Sequence, residues 1–241
     1  MSVVARAHAR RRAADAMLRA GRRVVAHFWL KSLGTTAIMT LFFIAYFHLL
    51  RHPDGPVTTM PLTAVDRWIG FQPWALPIYL SLWFYVCLPP SLMVSRDELV
   101  RFGVGISAVC LVGLGVFALW PTRIPSMAAD FASHPDFSLL RGIDASGNAC
   151  PSLHVASAVF AARWFDRMLR RLGLRWRGRS LNALWCALIV YSTMAVKQHV
   201  LLDAAGGALL GLAGAWLAQT RAARRTAVRL RSLSGISSVR R

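Results

Sequence analysis

Residues Tyr191–Asp203, YSTMAVKQHVLLD, sit at the seam between two apolar runs, 181–196 and 200–218. Each run is long enough to make most or all of a membrane span, so the stretch reads as the corner of a membrane hairpin. Four polar side chains, Lys197, Gln198, His199 and Asp203, interrupt it. Ionisable groups at membrane depth are costly, which makes them functional candidates. His199 and Asp203 are four apart, so on a helix they share a face and can touch. A carboxylate so placed orients and polarises an imidazole. A solitary histidine here would be only an interfacial side chain; this one has company.

The chain around that corner is 56% hydrophobic and 16% charged, with a mean hydropathy of +0.45. That is too apolar for an ordinary soluble domain of 241 residues. Six spans of roughly 20 residues are expected, at about 32–50, 74–94, 101–120, 151–170, 181–198 and 199–218. The fourth is the least apolar, because Arg163, Asp166 and Arg167 fall in its last turns and would snorkel. The expected fold is all-α: a six-transmembrane-helix bundle over 32–220, with a basic arm at 1–31 and a basic tail at 221–241.

A net charge of +19 invites a nucleic-acid reading, but its placement excludes one. With both termini inside, 24 of the 29 basic residues fall in inner segments. The outer segments keep Arg51, Arg67, Arg123, Arg141 and Lys197. This is the positive-inside asymmetry of a membrane protein with cytoplasmic ends. Arginine supplies 27 of those 29 cations, as in a GC-rich bacterial genome. The expected location is a bacterial inner membrane, with the outer face toward the periplasm. Cys87, Cys110 and Cys186 lie within spans and Cys150 in an outer loop, without CxxC spacing. Neither a disulfide framework nor a metal site is expected, and no cofactor.

The outer segment 121–150, with Asp130, Asp136, Arg141 and Asp144, would suit a lid over a site. It ends in GNACPSLH, residues 147–154, where the fourth span begins. Pro151 suits the first helical position. Ser152 offers a hydroxyl beside the helix-start N–H groups, an arrangement that binds anions, and His154 follows on the first turn. The topology gathers Arg123, this corner, Thr193, Lys197, His199 and Asp203 at the outer ends of spans three to six. A phosphate is the natural occupant of such a set. One histidine can attack phosphorus while the other protonates the leaving oxygen. A transporter could use the cations to hold an anion, but it would not need a His–Asp pair facing a second His.

CPSLH followed by STMAVKQHVLLD resembles the second and third motifs of the type 2 phosphatidic acid phosphatase superfamily. The variants are closest to its branch containing inositol phosphorylceramide synthases, and the likeness covers roughly residues 100–218. The resemblance implies a six-helix membrane fold acting on a lipid phosphate, without metal, through a phosphohistidine. Carried onto this chain, it makes His199 the nucleophile, Asp203 its orienting partner and His154 the general acid. Ser152 and the backbone beside it would hold the phosphate. There are departures. Where the superfamily has Ser–Arg before the nucleophile, this chain has Ser192 and Thr193, with Lys197 the candidate to replace the lost charge. The first motif is reduced to PTRIP around Arg123, with Val116 where its Lys would fall, and Leu153 stands in place of a Gly. The implied reaction is hydrolysis of a lipid phosphomonoester or diphosphate, ahead of transfer of a phospho-headgroup between lipids, because no acceptor-binding motif is visible.

Overall fold

The computed structural model describes Leu18 and residues 21–125, 147–174 and 176–237, with side chains to residue 220. Most of the basic arm and the segment 126–146, Arg141 included, lie outside the described residues. The architecture is helical. Helix α1 is Phe28–Arg51, and it takes in the last four residues of the expected arm. A short strand β1 (Thr58–Thr59) and helix α2 (Ala64–Ile69) follow, then a 3-10 turn at Pro73–Ala75. The rest is α3 (Leu76–Leu92), α4 (Arg96–Leu119), β2 (Thr122–Arg123), α5 (Leu153–Arg171), α6 (Trp176–Ala195) and α7 (Leu201–Ser237).

Local chemistry explains where the helices stop and start. Proline lacks the N–H that a helix interior needs, and α3 ends two residues after Pro89-Pro90. Ser95 starts α4 by accepting the Glu98 N–H, and Asp97 and Glu98 lie in the first turn, where negative charge is favoured. Strands β1 and β2 pair in parallel, Thr58 with Thr122 and Thr59 with Arg123. This small addition to the expected all-α fold ties the loop after α1 to the C-terminal end of α4.

Helix α5 is the central element, packed against α3, α4, α6 and α7. Its inward face contributes Leu153, Ala156, Phe160, Trp164 and Met168 to the largest core cluster, where they meet Phe102, Val109 and Phe117 of α4. Among the described residues, four helical segments are long and apolar enough to cross a membrane: Phe28–Arg51, Pro73–Leu92, Arg96–Leu119 and Leu201–Thr220. They are the mark of an integral membrane protein. The other two expected spans, α5 and α6, are 19 and 20 residues long, about 28–30 Å at 1.5 Å per residue. The ends at which α5 and α6 join carry charge. Asp166 of α5 bonds Arg179 of α6 at 2.7 Å and Arg170 at 3.2 Å, and Arg171 reaches Glu98 of α4 at 2.7 Å. Protein rather than lipid surrounds most of α5, which relaxes the demand for an apolar sequence.

Candidate active site

Two helix starts build the site. At the first, Ser152 occupies the N-cap of α5, and its Oγ accepts the Val155 N–H at 3.2 Å. Pro151 therefore precedes the cap; it is not the first helical residue that the sequence led us to expect. Thr122 of β2 fixes the approach to this corner. Its Oγ1 accepts the Cys150 N–H at 2.8 Å and its carbonyl the Ala149 N–H at 3.3 Å. His154 is thereby set on the first turn, half-buried. The Cys150 thiol nearby is pushed up from its ordinary pKa by burial and then by the Asp203 carboxylate, which favours the neutral thiol.

At the second, the chain leaves α6 through a tight turn. The Thr193 carbonyl accepts N–H groups from both Gln198 and His199, at 3.0 and 3.1 Å. Lys197 takes φ +56 there, which is uncommon for a residue with a side chain. Helix α7 begins only at Leu201, so His199 lies in the turn and not on the helix face expected from its spacing. The contact with Asp203 holds because that carboxylate reaches back over the helix start. Its Oδ2 lies 3.2 Å from His199 Nδ1, and its Oδ1 accepts the Val200 N–H at 2.9 Å. One side chain thus caps a helix and orients an imidazole, in a first turn where negative charge is favoured.

Backbone contact joins the two corners. The Ser152 N–H donates to the Asp203 carbonyl at 2.9 Å. A Cβ at Gly207 would strike the Ser152 carbonyl and one at Gly211 that of Ala156, so the small-residue spacing in α7 permits the approach. The histidines then meet, His154 Nδ1 lying 3.2 Å from His199 Nε2. On the far edge of His154, the Tyr79 hydroxyl lies 3.0 Å from Nε2. One proton arrangement satisfies the whole row, with each donor facing the next acceptor: Tyr79 O–H to His154 Nε2, His154 Nδ1–H to His199 Nε2, and His199 Nδ1–H to Asp203. Asp203 is fully buried and His199 nearly so.

The other expected phosphate ligands are engaged elsewhere. Thr193 is buried, with Oγ1 donating to the Val190 carbonyl at 2.8 Å. The Ser152 hydroxyl serves as the cap. Lys197 is 8% exposed, and its ammonium donates to the Asp66 carbonyl at 2.9 Å. Arg123 is exposed on β2, with Nε donating to Thr59 Oγ1 at 3.0 Å. So Ser152, His154, His199 and Asp203 come together, Thr193 and Lys197 shape the same turn, and Arg123 reaches across the strand pair.

Sequence reasoning missed Tyr79, Thr122 and Asp66. Asp66 is 4% exposed; its Oδ1 accepts the Leu201 N–H at 2.7 Å, and its Oδ2 the Thr63 N–H and hydroxyl, each at 2.7 Å. Thr63-x-x-Asp66 is a capping box, and that pattern is readable in a sequence. Tyr79 and Thr122 carry no such local sign. Among the described residues no group of three or more His, Cys, Asp or Glu is placed to hold a metal ion.

Together these features define a helical membrane protein with a carboxylate-oriented histidine against a second histidine. A family model described as the PAP2 superfamily matches residues 71–217. That is more than half of the chain, and the chain belongs to the PAP2 superfamily, whose members are generally phosphatases and phosphotransferases. No curated protein and no solved structure matches the chain.

Proposed function

We propose that this protein is a metal-independent lipid phosphatase, hydrolysing a lipid phosphomonoester or diphosphate at the outer face of the membrane through a phosphohistidine. The observation that carries the reading is the row His154–His199–Asp203, with both links at 3.2 Å. His199 Nδ1–H, donated to Asp203, leaves the lone pair on Nε2 for attack on phosphorus. The N–P bond forms as the P–O bond to the lipid breaks, and the leaving oxygen takes the Nδ1 proton of His154, which enters the step as the imidazolium and leaves it as the neutral ring with Nε2–H kept. Water then attacks phosphorus, the N–P bond breaks, and His154 Nδ1 takes the water's proton. Attacking atoms stand about 3–3.5 Å apart, with the proton donor beyond the leaving oxygen. The two ring nitrogens therefore separate when a phosphoryl group enters. Ser152, Lys197, Thr193 and Arg123 are the candidate ligands of its oxygens, by side chain or backbone.

The proposed setting is a six-span domain over 32–220, between the basic segments 1–31 and 221–241, with both ends cytoplasmic and the histidines facing the periplasm of a bacterium. The basic-residue asymmetry supports it. In a cysteine-free background, Cys at Gly55 should label with an impermeant reagent from outside, and Cys at Arg177 should not; labelling at 177 from outside overturns the topology. Phosphate release by the purified protein from lipid phosphates should persist in EDTA. Loss that added divalent metal restores overturns the mechanism. The same assay with alcohol acceptors present separates hydrolysis from transfer.

A further inference from the structure

His199 has Asp203 behind it. His154 has Tyr79, which comes from a different helix, 75 residues away in the chain. Tyr79 is 2% exposed, and its ring lies 5.2 Å from the His154 ring, centroid to centroid. Trp83, one turn further along α3, stands edge-on to the same imidazole at 6.4 Å. So α3, a helix outside both histidine motifs, grips the second histidine on two sides.

From this geometry we infer that Tyr79 is a positioning residue for the acid–base histidine, and that it selects Nδ1 of His154 as the atom that carries the catalytic proton. The inference rests on the phosphohistidine reading above. A hydroxyl is both donor and acceptor. It can donate to Nε2 when that nitrogen is bare and accept from Nε2–H when it is protonated. A carboxylate or a carbonyl could serve only the second state. Tyr79 thus donates to the neutral resting ring and accepts from Nε2–H of the imidazolium, and it keeps that bond while Nδ1 gives up and recovers its proton. Its anchorage at Nε2 also supplies a pivot: Nδ1 can swing from His199 toward a leaving oxygen without the ring losing its far contact. The chemical step is unchanged. His199 Nε2 bonds to phosphorus, the lipid oxygen departs with the proton from His154 Nδ1, and Tyr79 gains and loses no bond to substrate.

The test is Tyr79→Phe, which keeps the aromatic ring against His154 and removes only the oxygen. Phosphoenzyme formation is followed at short times from a lipid phosphomonoester and from p-nitrophenyl phosphate, whose leaving group needs little protonation. With the lipid, the rate should fall about 3- to 10-fold, the equivalent of one ordinary hydrogen bond. With p-nitrophenyl phosphate it should be close to wild type, which also shows that the variant is folded. Equal loss on both substrates would mean that Tyr79 only supports packing, and an unchanged rate with the lipid would mean that it does nothing for His154; either result overturns the inference. If the wild type itself forms no phosphoenzyme, it is the underlying reading that fails, and this inference with it.

Discussion

The two ends of the helix bundle handle charge in opposite ways. At the end away from the histidines, Glu98 and Asp166 pair with Arg171, Arg170 and Arg179, whose side chains are 44–53% exposed. Such pairs are screened by solvent and cost little to make or lose. At the histidine end Asp66, Lys197, His199 and Asp203 are all less than one-tenth exposed. Burying such groups is expensive unless each finds a partner, and here each one does. A fold could end its helices with the cheaper arrangement, as this one does at its other end. The expensive one marks the end where the proposed chemistry lies.

The sharpest way to break this comparison is at the histidines. His199→Ala should abolish turnover for every substrate, because no N–P bond can form. His154→Ala should cost about 10²–10⁴-fold with alkoxide leaving groups, the usual reach of general acid catalysis, and far less with p-nitrophenyl phosphate. Acid-labile phosphoenzyme should be trapped in the wild type and in His154→Ala, but not in His199→Ala. Phosphate trapped on position 154 would reverse the roles.

How much of this was legible beforehand depended on the range of each contact. Asp203 and His199 are four residues apart, so their pairing could be read, although the turn that brings them together could not. His154 and His199 lie 45 apart, and only the alternation of spans placed them at the same end. The grip of Tyr79 on His154 and of Asp66 on Leu201 crosses 75 and 135 residues. Nothing local announces which face of α3 or α2 will meet those partners. The spans show the same limit. Helices that meet lipid had to be apolar and were plain in the sequence. Helix α5 meets mostly protein, so its sequence is free to be mixed.

A weaker effect is expected at Lys197. Its ammonium is buried against the Asp66 carbonyl, close in sequence to the proposed nucleophile and at the position proposed to replace the missing arginine. Removing a charged partner from a buried site typically costs about 2–5 kcal/mol, or roughly 30-fold or more in rate. Lys197→Ala should therefore be impaired on that scale, and Lys197→Arg less so. Near-normal turnover in Lys197→Ala would hand the task to another cation, Arg123 or Arg141.

The smallest effect compares two aspartates, one at each end. Asp66 accepts three hydrogen bonds while nearly out of solvent's reach, one of them from the first N–H of α7. In Asp66→Ala that N–H and the Thr63 donors lose their acceptor, and a buried donor left without one costs about 1–3 kcal/mol. Lys197 would keep its own bond, because it is made to the backbone of residue 66. Asp166 binds two arginines at the opposite end, both half in solvent. Asp166→Ala should cost no more than about 1 kcal/mol. That loss should shrink further as salt is raised, since exposed pairs are screened, while the Asp66 loss should hardly change. Denaturation of both variants in the same detergent, at low and high salt, measures the difference. Equal losses at the two positions, or a salt-sensitive loss at Asp66, would show that the histidine end is as solvated as the opposite one, and the contrast between buried chemistry and surface pairing would not stand.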